Sequence, residues 1–232
     1  MSEVEIWRLY DKNMNFVCNF TRGAGKIPDG LYHKTVEVIP TDMEGNLLLT
    51  RRSLRKRFGG GTLEFPAGSV ISTESEVEAA CRELKEETGL TAVKLFFVQK
   101  ARMKGMIRYT YIAYIPDMKK CNISYPREEV MGYRFVTFDQ WMELLTTDEF
   151  NSLRTSCYNR RLYDSVKKVV MRHADEADQE EAPKPYHEMP VSSGLATKKP
   201  RHLDLRCYDD SDDYPNLPDN WEPTIEEGDD KT

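Results

Sequence analysis

From Gly68 to Leu90 the chain reads GSVISTESEVEAACRELKEETGL, and no other stretch so narrows what it can fold into. Two glycines frame its charges: Gly68, five residues to Glu74, seven more to Arg82, then Glu83, Leu84, Glu86, Glu87, Gly89 and Leu90. Glu74 to Thr88 holds neither Gly nor Pro and is rich in helix formers. The spacing therefore predicts a helix, capped by Ser72 or Thr73 and ended by Gly89. At about 100° per residue Val77, Ala80, Cys81 and Leu84 fall on one side, a stripe suited to a core. Glu83, Glu86 and Glu87 fall beside one another on the neighbouring face. Carboxylates at i, i+3 and i+4 repel and weaken an isolated helix, so the face calls for positive charge. A hard cation with oxygen ligands at about 2.0–2.1 Å, magnesium or its mimic manganese, turns the repulsion into binding. Arg82 is expected to pair with a nearby carboxylate such as Glu74 and hold the loop to the helix. A solvated acidic face is the usual fate of a glutamate-rich run, but it accounts for neither the glycines nor the spacing.

At every fixed position this segment resembles the Nudix box. The resemblance implies an α+β fold over about residues 30–170, a mixed β-sheet sandwiched between helices, and a strand–loop–helix catalytic platform. It assigns Glu83, Glu86 and Glu87 as metal ligands, joined by the Gly68 carbonyl, with magnesium as cofactor and manganese as a substitute. It also implies hydrolysis of a diphosphate linkage. Glu83 and Glu87 are the catalytic candidates, and one such glutamate, or an acid from a distant loop, is general base for the attacking water. Glu128 and Glu129, in the loop before Val130, stand where some family members place a further ligand or base.

Substrate choice depends on residues outside the box. Leu48-Leu49-Thr50, Arg52-Ser53, Arg57, Gly61 and Phe65-Pro66-Ala67-Gly68 resemble the pattern preceding the box in coenzyme A diphosphatases, with Ala67 where that pattern has Gly. Leu63–Gly68 is equally similar to the ADP-sugar diphosphatases, which often carry a downstream proline where this chain has Gly105. Isopentenyl diphosphate isomerases need an Asn-x-Cys-Cys-Ser-His-Pro context that is missing here, which favours hydrolysis. The expected substrate is a nucleoside diphosphate linked to another moiety, of ADP-sugar, coenzyme A or dinucleotide type. A catalytically silent nucleotide-binding or regulatory Nudix module and an RNA cap-type hydrolase are the alternatives. Arg51, Arg52 and Arg57 precede the catalytic loop and are candidates to hold substrate phosphates. Strand alternation sends Arg51 and Arg52 to opposite faces, so at most one of them lines the cleft, with Arg52 ranked first. Tyr32, Tyr109, Tyr111 and Tyr133 are candidates to stack on a base, although aromatic strand residues are more often core.

The remaining elements follow from alternation and turn residues. Strands are expected at Glu5–Tyr10, Asn15–Thr21, Tyr32–Thr41, Leu47–Arg52, Thr62–Phe65, Val93–Met103, Ile107–Ile115 and Val130–Thr137. Helices are expected at Gln140–Leu145 and Arg160–Arg172. Three units result: an accessory hairpin over 1–30, a Nudix domain over 31–173 and a tail over 174–232.

The tail carries 17 acidic against 6 basic residues and 7 of the chain's 12 prolines, whereas residues 1–173 carry 27 basic against 22 acidic. So polar and proline-rich a tail cannot bury a core and is expected to be disordered, a spacer or a docking segment for an unknown partner. The hairpin either shapes the substrate pocket or contributes to a homodimer. A basic body suits an anionic nucleotide substrate; nucleic acid is the less favoured partner. Five scattered cysteines lack zinc or disulfide spacing, and neither a signal sequence nor a membrane-spanning run is read in the sequence, so a cytoplasmic location is expected.

Overall fold

The computed structural model describes residues 5–155 and 157–177. In chain order these form β1 (Ile6–Tyr10), β2 (Phe16–Thr21), β3 (Tyr32–Thr41), β4 (Leu47–Arg52), β5 (Leu63–Glu64), β6 (Ala67–Ser69), α1 (Glu76–Thr88), β7 (Lys94–Met103), β8 (Met106–Tyr114), a 3₁₀ turn (Met118–Lys120), β9 (Val130–Val136), α2 (Phe138–Leu144), α3 (Ser152–Thr155) and α4 (Arg160–Ala177).

Everything is built around β3. One edge of this strand pairs in parallel with β8 over its length, from His33↔Met106 to Thr41↔Tyr114. Parallel neighbours need a long crossover, and the chain from β6 through α1 and β7 supplies it. The opposite edge of β3 is shared antiparallel by β1 (Leu9↔His33), β6 (Thr35↔Ser69 to Glu37↔Ala67) and β4 (Thr41↔Leu47). β4 in turn pairs with β5 and β9, β7 with β8, and β1 with β2 in the N-terminal hairpin.

Strand alternation then sorts two cores. Val36 and Val38 face Ala79, Ala80 and Leu84 of α1, together with Leu48, Leu95 and Tyr111. Ile39, Leu47 and Leu49 face Trp141 and Leu144 of α2 and Leu162, Val166 and Val170 of α4. The result is a mixed sheet between helices, the α+β sandwich expected. Trp141 anchors the second core, fully buried, with Phe65 edge-on at 5.3 Å and Phe138 at 5.7 Å; truncating such a ring costs about 3–5 kcal/mol.

The element ends move in instructive ways. α2 begins at Phe138 rather than Gln140 because Thr137 and Gln140 cap each other reciprocally, Thr137 Oγ1 accepting the Gln140 amide at 3.2 Å. β6 and α3 occupy stretches in which the sequence showed no element. α4 runs to Ala177, past the expected domain boundary at His173; the rest of the tail lies outside the described residues. Among the described residues no helix is long and apolar enough to cross a membrane.

Candidate active site

α1 is fixed at both ends by its own sequence. Ser75 Oγ accepts the Glu78 amide at 3.2 Å while the Glu78 carboxylate accepts the Ser75 amide at 2.7 Å, so two amides that a helix start would orphan are satisfied. Ser75 is thus the cap, not Ser72 or Thr73. Glu74, expected as the first helical residue, lies in the preceding loop and accepts the Ile71 amide at 2.7 Å. At the far end Gly89 takes the left-handed conformation, φ 75°, and donates to the Lys85 carbonyl.

Arg82 organises the acids around it. Its Nη2 and Nε donate to the two oxygens of Glu74 at 2.7 and 3.1 Å, the pairing expected for it. Nη1 donates to Glu83 at 2.7 Å and Glu86 at 3.0 Å, and Nη2 also reaches the Ser69 carbonyl at 2.8 Å. One guanidinium thereby ties the loop after β6 to the helix. Glu83 lies against Gly68 so closely that a Cβ at that position would overlap all three carboxylate atoms. Gly68 is required here for space.

Glu87 lies deeper than Glu86, whose side chain is 55% exposed. Burial pushes the Glu87 carboxyl well above the ordinary glutamate value, Glu64, Glu83 and Glu129 add to the rise, and Arg154 opposes it. Burial also raises Glu83, against the pull of Arg82. Among the described residues Glu87 Oε2 is buried with no hydrogen-bond partner. An unsatisfied buried acceptor costs about 1–3 kcal/mol, and more when charged. Hard carboxylate oxygens, one of them unpartnered, are a donor set that fits a divalent cation. In this arrangement, however, no three His, Cys, Asp or Glu side chains among the described residues group as ligands of one ion. Arg82 accounts for the difference: it draws Glu83 and Glu86 to its guanidinium.

A second layer of the site joins residues far apart in the sequence. Glu64 of β5, 2% exposed, accepts Arg52 Nη1 at 2.9 Å on one oxygen and both Asn151 Nδ2 at 2.7 Å and Arg154 Nε at 3.0 Å on the other. Burial alone would raise this carboxyl, but Arg154, then Arg52 and Asn151, outweigh it and hold it below the usual value. Nearby, fully buried Glu37 of β3 accepts Tyr158 Oη at 2.9 Å and lies 3.8 Å from Arg108 Nη1. Burial raises the Glu37 carboxyl, and Arg108 and Arg154 oppose the rise. Arg108 Nη1 also donates to the Arg154 carbonyl at 3.1 Å and contacts Cys157 Sγ at 3.2 Å. Asn151, Arg154, Cys157 and Tyr158 are therefore bolted to the sheet beside the box. Glu64 carried a signal, a lone acid inside Leu63-Glu64-Phe65-Pro66; Asn151 and Arg154 carried none.

The basic stretch divides as alternation requires. Arg52 turns to Glu64 and to the Phe58 carbonyl at 2.8 Å, beside the box. Arg51 turns the other way, to Glu149 at 2.6 Å and the Gly61 carbonyl at 2.7 Å, so the structure does not bring it to the cleft. Arg57 lies over the ring of exposed Phe58 at 5.2 Å. Of the two acids before β9, Glu129 pairs with Lys56 and lies within electrostatic reach of Glu87. Tyr111 is core, as is more usual for strand aromatics, and Tyr133 is 45% exposed against Tyr125 and Phe135.

Comparison with known proteins gives a NUDIX domain match over residues 31–156. An uncharacterized Nudix hydrolase of Listeria innocua is 28% identical over 155 residues, covering 63% of this chain and 88% of its own length. An RNA pyrophosphohydrolase of a Marinomonas strain is 37% identical over 78 residues, 34% of this chain and 44% of the relative. Among solved structures, DR0079 of Deinococcus radiodurans superposes with a TM-score of 0.55 at 18% identity, covering 67% of this chain and all of the other, a likeness of fold.

Proposed function

The chain belongs to the Nudix family, and from that premise we propose that it is a magnesium-dependent hydrolase cleaving the diphosphate linkage of a nucleoside diphosphate joined to another moiety, of ADP-sugar, coenzyme A or dinucleotide type. The observation that carries the reading is the acid face of α1: a complete set of box glutamates, with Glu83 seated on Gly68 and an oxygen of buried Glu87 left without a hydrogen-bond partner. A module that had lost hydrolysis would have no need to keep so costly a group.

In this reading Glu83, Glu86, Glu87 and the Gly68 carbonyl hold the magnesium, or manganese in its place. When bound, the ion neutralises phosphate oxygens, polarises the phosphorus and lowers the pKa of coordinated water. The protein supplies the rest. Arg82 fixes Glu83 and Glu86 until the ion competes for them. Glu87 offers its unpartnered oxygen to the proton of the attacking water, a contribution of about 10²–10⁴ in rate for a positioned base. Glu129 stands at the rim, steered by Lys56. Arg52 keeps Nη2 available for a substrate phosphate, since its other donors are engaged by Glu64 and Phe58. Arg57 is the outer phosphate contact. Glu64, ionised and held on three sides, keeps Arg52 in place.

The partial match to an RNA pyrophosphohydrolase gives a second reading, RNA as substrate in place of a small nucleotide, its one specific support. A panel of dinucleotides, nucleotide sugars, coenzyme A and 5′-triphosphate RNA, assayed by product identity with and without magnesium, beside Glu83→Gln, tests both. Turnover that requires magnesium and vanishes in the variant supports hydrolysis and names the substrate. A folded protein silent across the panel sinks the proposal in favour of a binding module.

A further inference from the structure

Past the N-terminal end of α1 the sheet carries a surface that plays no part in the hydrolytic site. The register places Arg102, Ile107 and Lys34 in one row across β7, β8 and β3, and Lys100, Tyr109 and Val36 in the next. These side chains share the α1 face of the sheet, because Val36 belongs to the core beneath that helix. Tyr10 and Tyr32, paired between β1 and β3, extend the surface.

Three cations meet here, and tyrosine rings hold them. Lys34 Nζ lies 4.6 Å from the Tyr10 ring centre and 5.9 Å from that of Tyr109, Lys100 Nζ lies 5.7 Å from Tyr109, and the Arg102 guanidinium 5.5 Å from Tyr32. A ring attracts a cation through its quadrupole without neutralising it. Among the described residues neither Lys100 nor Arg102 is within ion-pair distance of a carboxylate; Lys34 alone has one, Glu76 in the first turn of α1. Like charges held this close cost folding energy, and the strain reaches Lys100, whose pKa is lowered by burial and then by Arg102 and Lys34, with Glu76 opposing. Fixed cations of this kind, with one carboxylate for three, complement an anion bearing several oxygens.

We propose that Lys34, Lys100 and Arg102 form a phosphate-binding site for a small phosphorylated effector, separate from the substrate cleft and linked to α1 through the Lys34–Glu76 pair. An anion that takes Lys34 releases Glu76 at the start of the helix that carries the box glutamates. By reciprocity, weakening the Lys34–Glu76 pair must strengthen anion binding. This inference does not depend on hydrolysis.

Calorimetric titration of the full chain with sodium tripolyphosphate, in EDTA to keep metal out of the box, tests it. Wild type is expected to bind saturably. Lys100→Met, which keeps the packed stem, should weaken binding about tenfold, and Lys100→Met with Arg102→Met should weaken it further. Glu76→Gln should tighten it, a response that a purely structural role for the pair does not produce. Lys94→Ala, which removes an exposed lysine elsewhere on β7, should leave it unchanged. The proposal is overturned if folded wild type takes up no tripolyphosphate, if Lys94→Ala weakens binding as much as Lys100→Met, or if only Arg52→Met abolishes it, which would put the anion in the hydrolytic cleft.

Discussion

Gly68→Ala is the smallest change that tests how the box is built. The backbone at Gly68 is not in the left-handed region, so alanine is conformationally acceptable; the whole effect must come from the added methyl. That methyl would sit inside 3.0 Å of Glu83 Oε1, Cδ and Oε2, and the carboxylate has to retreat by about 1 Å or more to regain ordinary contact beyond 3.4 Å. Glu83 is tethered to Arg82 at 2.7 Å, and Arg82 to Glu74 and Glu86, so the retreat disturbs the whole cluster. Overpacking of this kind costs about 1–3 kcal/mol of stability. A misplacement of about 1 Å costs roughly 10²-fold in rate, or about 2.7 kcal/mol of transition-state stabilisation. The assay is a double-mutant cycle of Gly68→Ala with Glu83→Ala, followed by urea unfolding and by kcat/KM on the best substrate of the panel. With the Glu83 carboxylate gone the methyl has room, so the alanine at position 68 should cost almost nothing in stability there. If Gly68→Ala keeps wild-type activity, or destabilises equally in both backgrounds, Glu83 is not seated on Gly68.

Arg52→Met should lower kcat/KM by about 10- to 100-fold by removing a charged hydrogen bond beside the box, whereas Arg51→Met should leave it unchanged and cost at most about 1 kcal/mol for a half-exposed pair; steady-state kinetics of both variants side by side decide. Arg154→Ala removes one of the two cations on buried Glu64, leaving Arg52, and a second positive charge near Glu37, whose ion-pair partner is Arg108, and should cost about 3 kcal/mol in urea unfolding; an unchanged midpoint would show that Arg154 does not brace the site. His33, stacked on Trp7 at 4.2 Å with Nδ1 on the Gly105 carbonyl at 2.9 Å, has its pKa lowered from 6.5 chiefly by burial. Its contribution is complete above the unfolded value of 6.5 and is lost as pH falls from there towards the lower folded value, because the unfolded chain takes up the proton first. Urea midpoints at about pH 8 and about pH 5 should differ less in His33→Gln than in wild type; equal differences would exclude His33 as a source of that slope.

What could be read from the sequence was whatever depended on short range. β3 and β4 fall where their alternation puts them, because the turn between them is local: Asp42 accepts the amides of Glu44 at 3.0 Å and Asn46 at 2.8 Å. The box helix was legible for the same reason, apart from its first residues, where Ser72, Thr73 and Ser75 all qualify as caps and only Glu78 three residues past Ser75 decides. β6 was hidden because Ala67-Gly68-Ser69 has no strand propensity of its own; the ladder from β3 imposes the conformation. The inner layer of the site was hidden by distance along the chain. Glu64 finds Asn151 and Arg154, 87 and 90 residues later, and no local pattern announces such a partner. A buried acid inside a strand does announce that some partner exists, which is how Glu64 could have been marked.

Those long separations bear on how the molecule is made. A chain leaves the ribosome with its amino end first, so Glu64 and the whole acidic helix emerge well before Arg154. Until the later segment arrives, the half-made sheet holds carboxylates that water must solvate, and closing the sandwich around them is opposed. The arrival of Asn151, Arg154 and Tyr158 lessens that opposition, so a nascent chain cut short after α2 has every box glutamate, with Arg52, Arg82 and Arg108, but lacks the Arg154 charge that helps to hold Glu64 and opposes the rise of Glu87.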